Sequence, residues 1–305
     1  MPDTSPSALS PHVGYIGTGL IGAPMVERML EKGLKVTVWN RTPEKASPLV
    51  ALGAGRAGSA RDLAEHADVM CLCLTDTDAV DDVVFGRVGI SAAMRSGQLL
   101  IDFSSIAPDR TKVMAEHLLA TSGADWIDAP VSGGPSGACS GRLTIFAGGD
   151  ANAIARATPV FDALSQHVTH MGGHGAGQLA KSCNQMIVAC NLLAIAEMLT
   201  FARAAGIDAS RMPDALAGGF ADSAPLRIFG PRMARGVDTP RIGALATFKK
   251  DVEQVVRLAA DNGAMVPLTQ RAAELYRDAA EHADVGIDAE VSRIIRMFQA
   301  GRDGP

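Results

Sequence analysis

At 305 residues the chain is long enough for two domains, and a composition of 47% hydrophobic and 20% charged residues excludes wholesale disorder. The net charge is −5 with no basic stripe, which excludes the electrostatic footprint of a nucleic-acid binder. The five cysteines are scattered, odd in number and without a Cys-x-x-Cys pair, so they read as reduced thiols of a cytoplasmic protein.

Residues 1–11 have neither a basic start nor an apolar run, which excludes a signal peptide and leaves a short tail expected to be disordered. Strand signals then fall at His12–Ile16, Lys35–Trp39, 69–74, Leu99–Asp102, 126–128 and 143–147. Helical patterns lie between them at 21–32, 43–51 and Pro108–Ser122. This alternation predicts an α/β domain over residues 1–174, with a mostly parallel sheet covered by helices on both faces.

Beyond about Gly175 no strand is expected. Residues 177–205 form one helical pattern of about 45 Å at 1.5 Å per residue, apolar on most sides as a buried helix is. Its most apolar stretch, 185–202, is interrupted by Asn191 and Glu197, so a buried helix is expected rather than a membrane span. Further helices are expected at 210–217, 224–234, 244–262, 267–282 and 289–299, punctuated by Gly206, Gly218, Gly219, Gly236 and Gly263. The architecture predicted is an α/β domain, a long connecting helix, and an all-α domain over 175–305.

Gly17-Thr18-Gly19-Leu20-Ile21-Gly22 follows the first strand and opens the first helix. Its glycines suit a tight turn, close approach of backbone to a pyrophosphate, and helix–strand packing, and the amides at the helix start face the anion. With strand, helix and second strand in place, this is a Rossmann dinucleotide-binding fingerprint. The second strand ends at Asn40-Arg41-Thr42, where an NAD-specific site usually carries a carboxylate for the ribose 2′-hydroxyl. Asn40 removes that charge, Arg41 offers a donor fork and Thr42 a hydroxyl, so NADP(H) is expected to be preferred, with NAD(H) still admitted.

Residues 128–137, Asp-Ala-Pro-Val-Ser-Gly-Gly-Pro-Ser-Gly, read as a loop too glycine-rich for a helix. Backbone N–H groups of Ser132, Gly133 and Gly134 with the Ser132 hydroxyl would form an anion-binding concavity suited to a carboxylate. A plain glycine-rich turn would look similar. On the connecting helix, offsets of three and four put Lys181, Asn184 and Gln185 on one face, with Asn191 near the same stripe. Spacing alone leaves two readings: these groups bond to neighbouring loops, or they line a cleft between domains. His170 and His174, in a glycine-rich segment, are the nearest rival acid–base groups and are set aside. His12, His66, His117 and His282 read as surface or strand-edge residues, and no cluster of side chains suggests a metal.

Three stretches, GTGLIGAPM, DAPVSGGPSGACSGRL and GHGAGQLAKSCNQ, together closely resemble the β-hydroxyacid dehydrogenase family, and the resemblance runs from His12 to about Phe298. Members of that family include 3-hydroxyisobutyrate dehydrogenases and tartronate semialdehyde reductases. The resemblance implies that Lys181 is the catalytic lysine, that Ser132, Gly133 and Gly134 take the substrate carboxylate, and that Asn184 helps hold the substrate. Lys250 and Asp251 match a Lys-Asp motif whose lysine lies near nicotinamide and substrate. Residues 102–108, with Ser104-Ser105 where Ser-Thr is usual, resemble the segment beside the nicotinamide ribose. Leu74 and Thr75 match a loop near the adenosine ribose, with Thr75 where proline is common. Gln185 stands where many members have a second asparagine, a variant of the tartronate semialdehyde reductase side.

The implied reaction is hydride transfer between the nicotinamide and a small β-hydroxy acid or its semialdehyde, with Lys181 exchanging a proton with the substrate oxygen. A homodimer or homotetramer is implied, with no membrane or nucleic-acid partner. Three alternatives are weighed. An imine reductase-like enzyme usually lacks the lysine that Lys181 supplies. A non-catalytic dinucleotide-binding module would have lost it. A phosphogluconate-type decarboxylating dehydrogenase is usually longer and richer in basic residues at its sugar-phosphate site.

Overall fold

The computed structural model describes residues 10–87 and 89–299; most of the tail expected at 1–11 lies outside them. The chain divides into two compact units, Met1–Lys181 and Ser182–Pro305, and the division falls inside the long helix.

The first unit runs β1 (His12–Ile16), α1 (Gly22–Glu31), β2 (Lys35–Trp39), α2 (Ser47–Ala51), β3 (Gly55–Arg56), α3 (Ala60–His66), β4 (Val69–Leu72), α4 (Thr77–Phe85), β5 (Leu99–Asp102) and α5 (Pro108–Ser122). It continues through β6 (Asp125–Asp128), β7 (Val131–Ser132), α6 (Gly134–Ser140), β8 (Leu143–Gly148), α7 (Ala151–Arg156), α8 (Thr158–Leu164) and β9 (Ser165–Gly172) into α9 (Ala176–Ala204). The strands form one sheet in the order β3-β2-β1-β4-β5-β6-β8-β7, with β9 paired to β8. From β3 to β6 every pairing is parallel, and β8 turns antiparallel to β6 and β7. β4 and β5 are buried along their whole length, because helices cover both faces of a parallel sheet. One face packs Val13, Met25, Met29, Val36 and Ile101, and the other packs Leu63, Met70, Leu72, Leu100 and Trp126. On α1, residues Gly22, Met25, Val26 and Met29 recur at helical spacing and are buried. Each of the larger three contributes roughly 1.5–3 kcal/mol of burial.

The six expected strands and the helix over Pro108–Ser122 are present, and β3, β7 and β9 are additional. β9 escaped the hydrophobic pattern because six consecutive residues, Gln166 to Met171, are exposed and no alternation marks a core face. The reading of 128–137 as helix-free is corrected: Gly134–Ser140 is a helix with Pro135 in its first turn. Proline sets φ for a first turn, where its missing N–H costs little, and the flanking glycines absorb the positive φ of Gly133 (128°) and Gly134 (61°).

The second unit continues α9 and adds α10 (Met212–Ala215), α11 (Ala224–Arg235), α12 (Leu245–Asp261), α13 (Pro267–Glu281) and α14 (Ile295–Gln299). The helix expected over 210–217 is a short 3₁₀ turn followed by α10, and the one over 289–299 is a 3₁₀ turn at Val291–Ile294 followed by α14. Among the described residues its β pairing is a single bridge, Ala244 to Glu290. Helix α9 is long and apolar enough to cross a membrane, yet Ala189, Leu192, Ala196 and Leu199 pack in this unit's core with Leu245, Val252 and Tyr276.

Candidate active site

The glycine loop between β1 and α1 is shaped by what its glycines touch. A Cβ on Gly22 would meet the carbonyl oxygen of Gly17, and one on Gly17 would meet that of Cys73. Gly17 also has φ of 98°, which a side chain disfavours. A Cβ on Gly19, in contrast, would point into open space. Two glycines therefore close the turn against the sheet, and the third leaves its outer side clear for an approaching group. Leu20 beside it is exposed, and the Ala23 amide already bonds Gly19 O at 3.0 Å. This fits a pyrophosphate seated over a helix start.

The loops at the carboxyl ends of β2, β4 and β5 gather around it. Thr18 is buried and donates its hydroxyl to Lys45 O at 3.2 Å, which ties the segment after β2 to the glycine loop. Asn40 is half-buried, Arg41 and Thr42 are exposed, and no carboxylate stands at these three positions. After β4, Thr75 donates to Asp76 at 2.8 Å, and Asp76 caps α4 through the Ala79 amide at 2.9 Å. The Leu74 N–H donates to Ser104 Oγ at 2.9 Å, so the loops after β4 and β5 are also joined. Ser105 follows, half-buried.

Under these loops lie two carboxylates that the pattern of residues did not reveal. Asp102 and Asp128 end neighbouring strands in register, and both are fully buried. Asp102 Oδ1 accepts the Ser104 N–H at 2.9 Å, while Oδ2 has no hydrogen-bond partner. Burial pushes the Asp102 carboxyl up to about 7 despite its bonds to Ser104. Asp128 accepts the backbone N–H of Gly175 at 2.8 Å and of Gln178 at 3.1 Å. Burial raises its pKa too, and those two amides pull it partly back. Asp128 thus occupies the unsatisfied N-terminus of α9, from the end of β6.

Gln178 completes the attachment. Its side chain is 1% exposed; Nε2 donates to Ser104 O at 2.8 Å and Oε1 accepts the Ile106 N–H at 3.1 Å. One side chain therefore clamps the loop after β5 to the first turn of α9. Lys181 lies one turn further along, on the same helix face and half-buried. Sequence reasoning passed over Gln178, although the spacing that marked Lys181 and Asn184 puts it on their stripe. Ser132 ends β7, and Gly133 and Gly134 lead into α6, all in this first unit.

Asn184, Gln185 and Lys250 belong to the second unit. There Asn184 Nδ2 donates to Gln185 Oε1 at 2.9 Å, and Gln185 Nε2 donates to Asp251 Oδ2 at 2.7 Å. Lys250 Nζ lies 3.4 Å from the other oxygen of Asp251. Asp251, matched to the family motif but given no role there, is the centre of this cluster. Asn191 is half-buried on α9.

The rival histidines are occupied elsewhere. His170 lies in β9, with Nε2 3.1 Å from Gly149 O and 2.9 Å from Gly172 O, and His174 Nε2 lies 3.1 Å from Trp126 O. Cys71 is buried beside Cys73, and burial pushes the Cys73 thiol up to about 12, far from thiolate chemistry. Among the described residues no group of three or more His, Cys, Asp or Glu is arranged to hold a metal ion.

Comparison with known proteins agrees with this geometry. The family model for the NAD binding domain of 6-phosphogluconate dehydrogenase matches residues 12–173. The model for the NAD-binding region of NADP-dependent 3-hydroxyisobutyrate dehydrogenase matches residues 175–298. The 2-hydroxy-3-oxopropionate reductase of Escherichia coli K12 is 37% identical over 276 residues, 90% of this chain and 94% of that protein. The crystal structure of 3-hydroxyisobutyrate dehydrogenase from Salmonella typhimurium superposes with a TM-score of 0.86 at 29% identity, covering 94% of this chain and 99% of that one. Psf3, solved with NADP+ and 2-OPP, superposes at 0.87 with 26% identity, covering 94% and 99%. Glycine cradle, lysine-bearing helix and both family matches agree, and the chain belongs to the β-hydroxyacid dehydrogenase family.

Proposed function

We propose that this chain reduces a small semialdehyde bearing a carboxylate, of the 2-hydroxy-3-oxopropionate type, with NADPH as its preferred donor. The broader activity comes with the family: an oxidoreductase that moves a hydride between a nicotinamide coenzyme and a small β-hydroxy acid. The coenzyme, when bound, supplies or takes the hydride. Residues 17–22 would hold its pyrophosphate, Leu74, Thr75 and Ser105 would line its riboses, and Lys250 would lie near the nicotinamide. Arg41, exposed and free of any neighbouring carboxylate at positions 40–42, would take a 2′-phosphate, with Asn40 and Thr42 beside it. The neighbour solved with NADP+ supports that preference.

The single observation that carries the mechanism is the clamp of Gln178 and Asp128 on α9, one turn before Lys181. It fixes the lysine's helix relative to the loop that bears Ser105. Lys181 donates a proton to the carbonyl oxygen as the aldehyde is reduced, and takes it back in the reverse direction. By the family resemblance, the Ser132 hydroxyl and the backbone at Gly133 and Gly134 would take the substrate carboxylate, and Asn184, with Gln185 beside it, would help hold the substrate.

We also read the chain as cytoplasmic and as a homodimer or homotetramer, without membrane or nucleic-acid partners. Free cysteines support the first, and exposed Phe201, Phe220 and Met265 in the second unit support self-association. Sedimentation showing monomer alone would remove the oligomer.

The functional test is nicotinamide absorbance with 2-hydroxy-3-oxopropionate plus NADPH, beside 3-hydroxyisobutyrate plus NAD or NADP. Fast aldehyde reduction with NADPH is expected. Turnover mainly of 3-hydroxyisobutyrate would keep the reaction class and overturn the substrate assignment.

A further inference from the structure

The polar cluster around Asp251 has a direction. A carboxylate only accepts hydrogen bonds, so the 2.7 Å contact to Asp251 Oδ2 must carry the amide nitrogen of Gln185. That choice turns Gln185 Oε1 toward Asn184, where it accepts from Nδ2 at 2.9 Å. The orientation of Asn184 is then settled as well: its nitrogen edge faces Gln185 and its oxygen lies on the opposite edge. Lys250 Nζ, 3.4 Å from Oδ1, braces the carboxylate from the other side. Asp251 and Gln185 are 7% and 8% exposed, so bulk water competes poorly for these bonds. Glutamine makes the span from α9 to Asp251 on α12, and asparagine is one methylene shorter.

We propose that Asp251 and Gln185 are positioning residues that set the amide orientation of Asn184, and that Gln185 acts through Asn184 rather than on the substrate. This rests on the reading of Asn184 as a residue that helps hold the substrate. The orientation matters because Asn184 Nδ2 carries two N–H groups and can donate to a substrate oxygen as well as to Gln185 Oε1. A flipped Asn184 would set its Oδ1 against Gln185 Oε1 and break the chain.

The test exchanges the carboxylate. Gln185→Glu alone sets two carboxylates against each other. Asp251→Asn alone replaces an obligate acceptor with an amide that can present its oxygen or its nitrogen, so the direction of the chain is no longer fixed. Together they restore its polarity: the amide at 251 donates to the carboxylate at 185, which accepts from Asn184 Nδ2. Turnover is read with NADPH and 2-hydroxy-3-oxopropionate, or with 3-hydroxyisobutyrate and NADP if that is the better substrate. NADPH binding is read by fluorescence and folding by thermal melting.

Each single variant is expected to lose at least ~10-fold in kcat with NADPH affinity held within ~2-fold, and the double variant to recover most of the loss. A double variant no better than the worse single overturns the proposal, as do single variants with wild-type kcat. A Gln185 that touched the substrate carboxylate directly would be impaired by the new negative charge in both backgrounds. Should a charged variant fail to fold, Gln185→Met supplies the same test without charge: kcat falls at least ~10-fold in a variant that still melts cooperatively and binds NADPH within ~2-fold of wild type, and wild-type kcat overturns the proposal. Lys181→Ala separates the two levels. If that variant turns over normally, the mechanism itself fails; if it is inactive and the exchange still gives no rescue, only the positioning role fails.

Discussion

Asp128 Oδ2 accepts the backbone N–H of Gln178 at 3.1 Å, joining the end of the sixth strand to the helix turn before Lys181. The same carboxylate takes the Gly175 amide at 2.8 Å, so two of the four orphan donors of a 29-residue helix end on one buried side chain. A Cβ on Gly177 would meet the Asp128 and Phe146 backbone carbonyls, which shows how closely the helix start seats on the sheet.

Asp128→Ala leaves those two amides buried and unpaired, at about 1–3 kcal/mol each before relaxation. A loss of at least ~2 kcal/mol in denaturant unfolding is expected, with Asp128→Asn costing less because one acceptor remains. Wild-type stability in Asp128→Ala would contradict this role.

Asp102 yields a pH dependence. Its carboxyl is raised to about 7 by burial, against 3.8 for the free group. Between these values the folded chain holds a proton that the unfolded chain has lost. Stability therefore falls as pH rises from about 4 to about 7 and is flat above. Asp102→Asn removes that penalty. The variant is expected to melt at least ~2 °C higher than wild type at pH 8, with the gap closing toward pH 4. A gap that widens on acidification would overturn the assignment.

The glycines separate folding from cofactor binding. Gly22→Ala drives a Cβ into the Gly17 carbonyl and is expected to lower the melting temperature. Gly19→Ala meets nothing in the protein, so it should melt within ~1 °C of wild type while NADPH affinity falls at least ~10-fold. Equal affinity in Gly19→Ala and wild type would remove the pyrophosphate from this loop.

Arg41→Ala tests coenzyme choice. The ratio of kcat/KM for NADPH over NADH is expected to fall at least ~10-fold, through loss of a charge-assisted phosphate contact. An unchanged ratio would mean that Arg41 sits in solvent beside the adenine.

The fold was legible where residues alternate or recur with a core-facing period. β1, β2 and β5 and the helix over Pro108–Ser122 agree residue for residue, because each carries apolar side chains in step with its geometry. β9 was not legible: its stability comes from backbone pairing with β8, and its exposed side chains carry no pattern. The helix at Gly134–Ser140 was hidden by three glycines in the preceding and first turns, and only Pro135 marked its start. In the candidate site, Gly17 and Gly22 announced themselves by motif, and Lys181 was singled out by helical spacing and by family resemblance. Gln178 and Asp128 did not, because their partners are backbone groups 47 to 74 residues distant in the chain, a separation that no local spacing encodes.

Replacing Lys181 with alanine tests the mechanism most directly. NADPH oxidation by the semialdehyde, or NADP reduction by the hydroxy acid, is expected to fall at least ~10²-fold, while NADPH binding and the melting temperature stay at wild-type values. Turnover within ~2-fold of wild type would contradict a proton transfer through Lys181.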